Sequence, residues 1–88
     1  MLEVEVEVIN RAGIHTRPAA SIVKTAARYK AEAFIVRDGF SINAKSIIGV
    51  MTLAAEQGST LTIRTVGEDE EAASKAIIQL FQDGFGEL

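Results

Sequence analysis

The stretch Leu2-Glu-Val-Glu-Val-Glu-Val8 alternates apolar and acidic residues from its start. A period of two is typical of a β-strand with one buried face and one face in water. Directly after it, Arg11-Ala-Gly-Ile14 breaks the alternation, and from Thr16 onward small and apolar residues recur three or four positions apart. That spacing predicts an amphipathic helix. The chain is therefore predicted to open with a strand, a glycine-containing loop and a helix.

The start of this first helix carries two local signals. Thr16 is a residue type favoured as an N-cap, and Pro18 suits the first turn, where its missing N–H has no acceptor in any case. Lys24 and Arg28 fall on the side expected to face water. The predicted buried stripe consists of Ala19, Ala20, Val23, Ala26 and Ala27.

The middle of the chain reads as a hairpin followed by a short helix. Residues 33–36 are apolar and β-prone, and Asp38-Gly39 predicts a tight turn into a second strand over residues 40–43. Ser46 is then placed to cap a helix that extends to Leu53, although Gly49 inside it costs about 1 kcal/mol relative to alanine. Gln57-Gly58 is predicted to end this segment.

The last third predicts one more strand and one more helix. Residues 60–66 are rich in threonine and β-branched side chains, as strands are. The acidic residues 69–71 suit the positive end of a helix dipole, and Gly84 and Gly86 are expected to end that helix. Its predicted buried stripe is Ala73, Ala76, Ile77, Leu80 and Phe81.

The resulting element order is β-α-β-β-α-β-α. Each apolar helix stripe must find the single apolar face of the sheet, so the predicted fold is α+β: a two-layer open-faced sandwich. Its four-stranded antiparallel sheet is covered on one face by three helices. Residues 1–88 are predicted to form a single domain, because a chain of this length cannot fill two cores.

Composition narrows the chemistry further. The chain has no cysteine and one histidine, which argues against disulfides, zinc ribbons, thiol nucleophiles and multi-histidine metal sites. Its net charge of −3 argues against a nucleic-acid-binding surface. No metal or other cofactor is predicted. No apolar run is long enough to span a membrane, so a cytoplasmic protein without membrane insertion is expected. Glu3, Glu5 and Glu7 are interpreted as the solvent-exposed face of the first strand.

His15 lies immediately before the first predicted helix. A helix N-terminus leaves backbone N–H groups without acceptors and carries partial positive charge, so it disfavours an imidazolium and favours an anion. A neutral imidazole nitrogen beside such donors suits reversible phosphoryl transfer, with Arg17 adding a charge-assisted bond. On position alone, however, a capping or surface histidine is the more common explanation. A metal site or a histidine-dependent hydrolase is less well supported, since neither has its partner residues.

Two motifs resemble one family. The segment Gly13-Ile-His-Thr-Arg-Pro-Ala19 closely resembles the active-site segment of HPr, the histidine-containing phosphocarrier of the bacterial sugar phosphotransferase system. The segment Asn43-Ala-Lys-Ser-Ile-Ile-Gly-Val-Met51 resembles that family's regulatory serine region at the expected separation. Length and element order also agree, so the resemblance extends over essentially the whole chain.

The resemblance implies a stoichiometric carrier rather than an enzyme that turns over. It implies that Nδ1 of His15 accepts a phosphoryl group from Enzyme I, charged by phosphoenolpyruvate, and passes it to the A domain of a sugar-specific enzyme II. Arg17 and the backbone donors at the helix start would hold that group. The family commonly has alanine where this chain has Thr16, which would either strengthen the phosphate cradle or slow transfer.

The second motif implies regulation and docking. Ser46 would be phosphorylated by a dedicated kinase/phosphorylase, which would place about two negative charges beside the docking surface. Ile47, Ile48 and Met51 match positions that the family uses against its partners, although at least one of them is expected to pack in the core. Basic residues are expected either to surround this patch or simply to be solvated: Arg17, Lys24, Arg28 and Lys45.

Two other functions are compatible with the sequence. One is an HPr-like regulatory paralogue that acts in nitrogen or carbon control rather than sugar uptake. Another, from a different class, is a small α+β ligand- or RNA-binding module, against which the acidic composition and the lack of aromatic residues for base stacking both argue. The carrier is expected to act as a monomer.

Overall fold

The computed structural model describes residues 1–88. The element order is β-α-β-β-α-β-α, as predicted, with a short 3-10 turn at residues 84–86. The strands are β1 (Leu2–Glu7), β2 (Glu32–Arg37), β3 (Phe40–Asn43) and β4 (Thr60–Val66), and the helices are α1 (Thr16–Ala26), α2 (Ile47–Met51) and α3 (Glu70–Gln82).

The four strands form one sheet in the order β1-β4-β2-β3, and every neighbouring pair is antiparallel. In the register, Val6 lies opposite Leu61, and Ile63 lies opposite Ile35. The two central strands, β4 and β2, are thus flanked by β1 on one side and by the hairpin strand β3 on the other. This confirms the predicted α+β open-faced sandwich.

The core lies between one face of the sheet and the helices. Alternate residues of the central strands are buried, such as Leu61 and Ile63 in β4, whereas Glu3, Glu5 and Glu7 of β1 are exposed as expected. Helix α3 packs on β1 and β4, and α1 packs on α3. The largest fully buried apolar side chains are Phe81, Ile22, Ile35, Leu61, Ile63 and Ile77.

The β2–β3 turn has the geometry that its sequence predicts. Asp38 and Gly39 have φ angles of 50° and 83°, and Arg37 is paired with Phe40 across them. Two consecutive residues with positive φ match the type I′ turn, whose twist suits a two-residue hairpin. Aspartate and glycine are among the residues that tolerate this conformation best.

Two details of the helices differ from the predictions, and a third concerns a residue for which no capping bond was predicted. In α1 the fully buried apolar side chains include Ile22, which the predicted stripe left out, whereas Val23 is half-buried against the core and Ala27 is exposed. Helix α2 ends at Met51, not Leu53, and Ala54 adopts a left-handed φ of 47° in the loop that follows. In α3 the N-cap residue Asp69 makes no capping bond.

Asp69 instead fixes the loop between α1 and β2. Its carboxylate accepts hydrogen bonds from the backbone N–H groups of Lys30 and Ala31 at 2.9 and 2.7 Å. These bonds hold the pKa of Asp69 below its usual value. A residue predicted only to complement a helix dipole therefore connects two distant parts of the chain.

Candidate active site

His15 is the N-cap residue of α1, with extended backbone angles of −94° and −165°. The loop before it is held against the segment that follows α2, because Ile14 N–H donates to the Ala55 carbonyl at 2.9 Å. Gly13 has a φ of +71°, and a Cβ added there would lie 2.4 Å from that same carbonyl oxygen. Only glycine can bring the backbone this close to the Ala55 carbonyl, so Gly13 determines the position of the neighbouring His15. The His15 side chain is 39% exposed and within reach of a partner protein.

The helix start beside His15 is open. No side chain caps it, and its first turn contains no acidic residue. The N–H groups of Thr16 and Arg17 have no acceptor within the helix, since those acceptors would precede its first turn, and Pro18 has no N–H. The prediction that Thr16 is the N-cap is therefore wrong: His15 occupies that position, and Thr16 is the first helical residue. Because Thr16 is exposed and nothing caps the helix, the N–H groups of Thr16 and Arg17 are available to an anion.

Glu87 binds the His15 imidazole. The two Glu87 carboxylate oxygens lie 2.8 and 3.1 Å from His15 Nε2. Asn10 supports the carboxylate, because its Nδ2 donates to Glu87 Oε1 at 2.9 Å and to the Gly13 carbonyl at 2.8 Å. Asn10 is fully buried, and its Oδ1 has no partner, so the amide is oriented through Nδ2 alone. Residues far apart in the chain thus hold one ring in place.

These contacts decide which His15 nitrogen is free. The hydrogen bonds from His15 and Asn10, together with the charge of Arg17, hold the pKa of Glu87 below its usual value. Glu87 is therefore ionised at neutral pH, and an ionised carboxylate only accepts hydrogen bonds. His15 Nε2 must then carry the hydrogen, which in the neutral ring leaves an electron pair on Nδ1. No protein atom is hydrogen-bonded to Nδ1.

Arg17 lies near the His15–Glu87 pair but forms no hydrogen bond or ion pair with it. Its side chain is exposed, and it makes no hydrogen bond or ion pair within the protein. Its charge nevertheless contributes to the lowered pKa of Glu87, which places it within electrostatic reach of the His15–Glu87 pair. Arg17 is thus free to turn toward an incoming anion.

Glu87 reaches the site because the chain folds back after α3. Gly84 and Phe85 have φ angles of 56° and 57°, and the Phe85 ring packs edge-on against Phe81 with centroids 4.9 Å apart. The prediction that glycines end α3 is confirmed. The arrival of Glu87 at His15 was missed, as was the role of Asn10, because the contact spans 72 positions and leaves no periodic signal in the sequence.

Ser46 is the N-cap of α2, as predicted. Its Oγ accepts a hydrogen bond from the Gly49 N–H at 3.1 Å. The adjacent Lys45 donates from Nζ to the Tyr29 carbonyl at 2.8 Å, so its ammonium group is partly occupied by a hydrogen bond within the protein. Helix α2 packs beside α1, and the Ile14–Ala55 hydrogen bond connects the segment that follows α2 to the His15 loop. The two motifs therefore lie on neighbouring elements.

Helix α2 presents an apolar face to solvent. Ile47, Ile48 and Met51 are 38%, 75% and 44% exposed, whereas Val50 is fully buried. The expectation that at least one of the three packs in the core is wrong, because a five-residue helix can bury only one side of itself and Val50 fills that side. Three neighbouring apolar side chains in water are typical of a binding surface.

Charge is divided unequally along the chain. Residues 8–55, which include the His15 loop, α1 and α2, carry seven basic and two acidic residues. The remaining residues carry two basic and ten acidic ones. The net charge of −3 is therefore the sum of a basic segment, residues 8–55, that includes His15, and an acidic excess in the rest of the chain. The basic residues of the basic segment are Arg11, Arg17, Lys24, Arg28, Lys30, Arg37 and Lys45.

Comparison with known proteins matches this arrangement. The family model described as "PTS HPr component phosphorylation site" matches residues 2–83. The chain belongs to the PTS HPr family. It is 52% identical over 82 residues to phosphocarrier protein HPr of Treponema pallidum, covering 93% of each chain. Glu87 lies beyond the residues that the family model matches.

Two further relatives extend the comparison. The HPr-like protein Crh of Halalkalibacterium halodurans is 46% identical over 93% of this chain and 98% of its own. The crystal structure of HPr-C-His from Thermoanaerobacter tengcongensis superposes with a TM-score of 0.95 at 41% identity, covering 100% of this chain and 99% of the other. Family membership therefore groups the chain with the phosphocarrier proteins HPr and with an HPr-like protein Crh.

No group of three or more histidine, cysteine or acidic side chains is arranged to hold a metal ion. None of the helices has the length and apolar character needed to cross a bilayer.

Proposed function

We propose that this protein is the phosphocarrier of a phosphoenolpyruvate-dependent sugar phosphotransferase system. His15 accepts a phosphoryl group from Enzyme I and passes it to the A domain of a sugar-specific enzyme II, and the protein works in the cytoplasm as a monomer. The observation that carries the proposal is the state of His15: Nε2 is held by Glu87, whereas Nδ1 is free beside an uncapped helix start.

In the transfer step, the Nδ1 electron pair of His15 attacks phosphorus. The new N–P bond forms as the N–P bond of the donor phosphohistidine breaks, and the donor imidazole takes back that electron pair. The His15 ring then carries a positive charge with its hydrogen still on Nε2, and the Glu87 carboxylate at 2.8 Å stabilises that charge. The return step to the acceptor reverses these changes.

The phosphoryl oxygens would be held by three groups. A phosphoryl group on the N-cap residue lies at the positive end of α1, where the N–H groups of Thr16 and Arg17 are available. The Arg17 guanidinium supplies charge-assisted bonds that matter most while phosphorus is transferred. Because the site is open to solvent, both donor and acceptor can approach it directly.

Labelling tests the proposal directly. The protein is incubated with Enzyme I and phosphoenolpyruvate, then assayed for acid-labile phosphate and for onward transfer to an enzyme II A domain. We expect one phosphate per chain in the wild type and in Ser46→Ala, and none in His15→Ala. Absence of label in the folded wild type, or label that persists in His15→Ala, would refute the proposal.

Ser46 is proposed as a regulatory site for a kinase/phosphorylase. Its hydroxyl already lies at a helix start, and a phosphate there would add about two negative charges next to exposed Ile47 and Ile48. That charge would oppose the docking of an acidic partner without any change of fold. The idea fails if Ser46 carries no phosphate in cells on any carbon source.

A second candidate function is regulatory rather than metabolic. The 46% identity to an HPr-like protein Crh supports it, and so does the exposed face of α2, which serves a regulatory partner equally well. The presence of His15 favours the carrier. A protein that accepts phosphate from Enzyme I but transfers it to no enzyme II A domain would indicate the regulatory role in nitrogen or carbon control.

A further inference from the structure

Phe40 is the feature that the fold does not explain. It lies at the tip of the β2–β3 hairpin, and its side chain is 75% exposed, as much as that of Ile48. Its turn requires only Asp38 and Gly39, so no structural role demands an aromatic residue at this position. Large aromatic side chains left in water are enriched at protein–protein interfaces.

Phe40 forms one wall of a groove. The groove has a volume of about 400 Å³ and is lined by Arg37, Asp38, Phe40, Ile42, Thr52 and Leu53. Thr52 and Leu53 directly follow Met51, and α2 packs against β3. The groove therefore continues the exposed apolar face of α2 toward the hairpin tip.

Two charged residues line the groove, Arg37 and Asp38, and Arg37 has unused hydrogen-bonding capacity. Arg37 donates from Nη1 to the Leu53 carbonyl at 3.1 Å, and its Nε is 3.8 Å from Asp38, too far for a hydrogen bond. Most of its five N–H donors thus have no acceptor, and its side chain is 30% exposed. With the basic excess of residues 8–55, this favours a partner with carboxylates near its apolar contact.

We propose that this groove is a second anchoring point for the phosphoryl donor, Enzyme I. An apolar side chain of that protein would enter between Phe40 and Leu53 while its main contact covers α2, and a nearby carboxylate would meet Arg37. This inference rests on the proposed function, and it assigns to Phe40 a role in docking rather than in the chemistry at His15.

Steady-state phosphorylation by Enzyme I tests the assignment. Phe40→Ala is expected to raise the KM for this protein about fivefold or more, as truncation of an interface aromatic does, with kcat unchanged. Phe40→Leu, which keeps an apolar side chain, is expected to recover most of the affinity. Val66→Ala is the matched control, since Val66 is an exposed apolar residue at the end of β4, and its KM should equal that of the wild type.

The outcomes separate the two proposals. If the wild type is labelled on His15 but Phe40→Ala and Val66→Ala have the same KM, the groove is not a docking site and the carrier function stands. If kcat rather than KM falls in Phe40→Ala, the docking role is also wrong. Lack of any labelling in the wild type would instead remove the proposed function itself. Because Phe40 is exposed, thermal unfolding of Phe40→Ala should match that of the wild type within a few degrees.

Discussion

The starts of α1 and α2 differ in one respect that separates chemistry from structure. At α2 the Ser46 hydroxyl accepts the Gly49 N–H, so the helix satisfies one of its own free donors. At α1 the N-cap residue is His15, whose side chain turns to Glu87, and no side chain caps the helix. The first arrangement stabilises the protein, whereas the second leaves donors for something that binds.

The difference shows that α1 lacks the stability that a capping side chain provides. A capping side chain is typically worth about 1 kcal/mol, and α1 has none. In its place the chain builds a contact between residues 72 positions apart that holds one ring nitrogen and leaves the other bare. The two helix starts should therefore respond in opposite ways to mutation: changes at α1 should alter transfer, and changes at α2 should alter stability.

The largest effect is expected at Arg17. In Arg17→Ala the phosphoryl group loses a charge-assisted contact, which predicts a fall of about 10- to 100-fold in the rate of phosphorylation by Enzyme I. Thermal stability should be unchanged, because Arg17 is exposed and has no partner within the protein. Lys24→Ala, at another exposed basic position on α1, is the control and should stay within about twofold of the wild type. Equal rates for the two variants would contradict the role of Arg17.

Glu87→Gln should give a smaller loss of transfer. A neutral amide no longer requires the hydrogen to sit on His15 Nε2, so we expect transfer at neutral pH to slow about fivefold, as for the loss of roughly 1 kcal/mol. Rapid-quench measurement of phosphoryl transfer from Enzyme I checks this. A rate equal to that of the wild type would show that Glu87 does not orient the ring.

The same variant has a defined pH dependence of stability. The pKa of Glu87 is lowered in the folded state from 4.5, so its contribution is complete above that value and is lost as the pH falls through the lowered folded pKa. The free energy of unfolding of the wild type should therefore exceed that of Glu87→Gln at neutral pH, and the difference should shrink in acid. Urea unfolding at several pH values measures it. A difference that grows in acid would be the wrong sign.

The smallest effect sharpens the comparison of the two helix starts. Ser46→Ala removes a capping bond and should lower the free energy of unfolding by about 1 kcal/mol. Thr16→Ala removes an exposed hydroxyl that caps nothing and should change it by less than about 0.5 kcal/mol. Chemical denaturation of the two variants in parallel makes the test, and equal losses would mean that the two helix starts are stabilised alike.

The fold was predictable because its signals are local. The alternation of Val6 and Val8 with glutamates, the Asp38-Gly39 turn and the capping position of Ser46 each depend on neighbours a few residues away. The buried side of the short helix α2 was harder to predict, because any of its apolar residues could face the core. In the structure Val50 faces the core, and this leaves Ile47, Ile48 and Met51 exposed.

The site was predictable in part. The position of His15 before a helix and the basic side chain of Arg17 follow from the sequence. Glu87 and Asn10 do not, because their hydrogen bonds depend on the chain reversal after α3 and on a buried loop. The assignment of Thr16 as the N-cap failed because the backbone becomes helical one residue earlier than predicted: His15 is extended and Thr16 is already the first helical residue.

The nitrogen that carries phosphorus tests the account most directly. The protein labelled with ¹⁵N at histidine is phosphorylated with Enzyme I and phosphoenolpyruvate and observed by ³¹P and ¹⁵N NMR. Since Glu87 holds the hydrogen on Nε2, we predict that phosphorus couples to His15 Nδ1 and that Nε2 keeps its hydrogen before and after labelling. Phosphorus bonded to Nε2 would contradict the account, because that nitrogen would have had to leave Glu87 first.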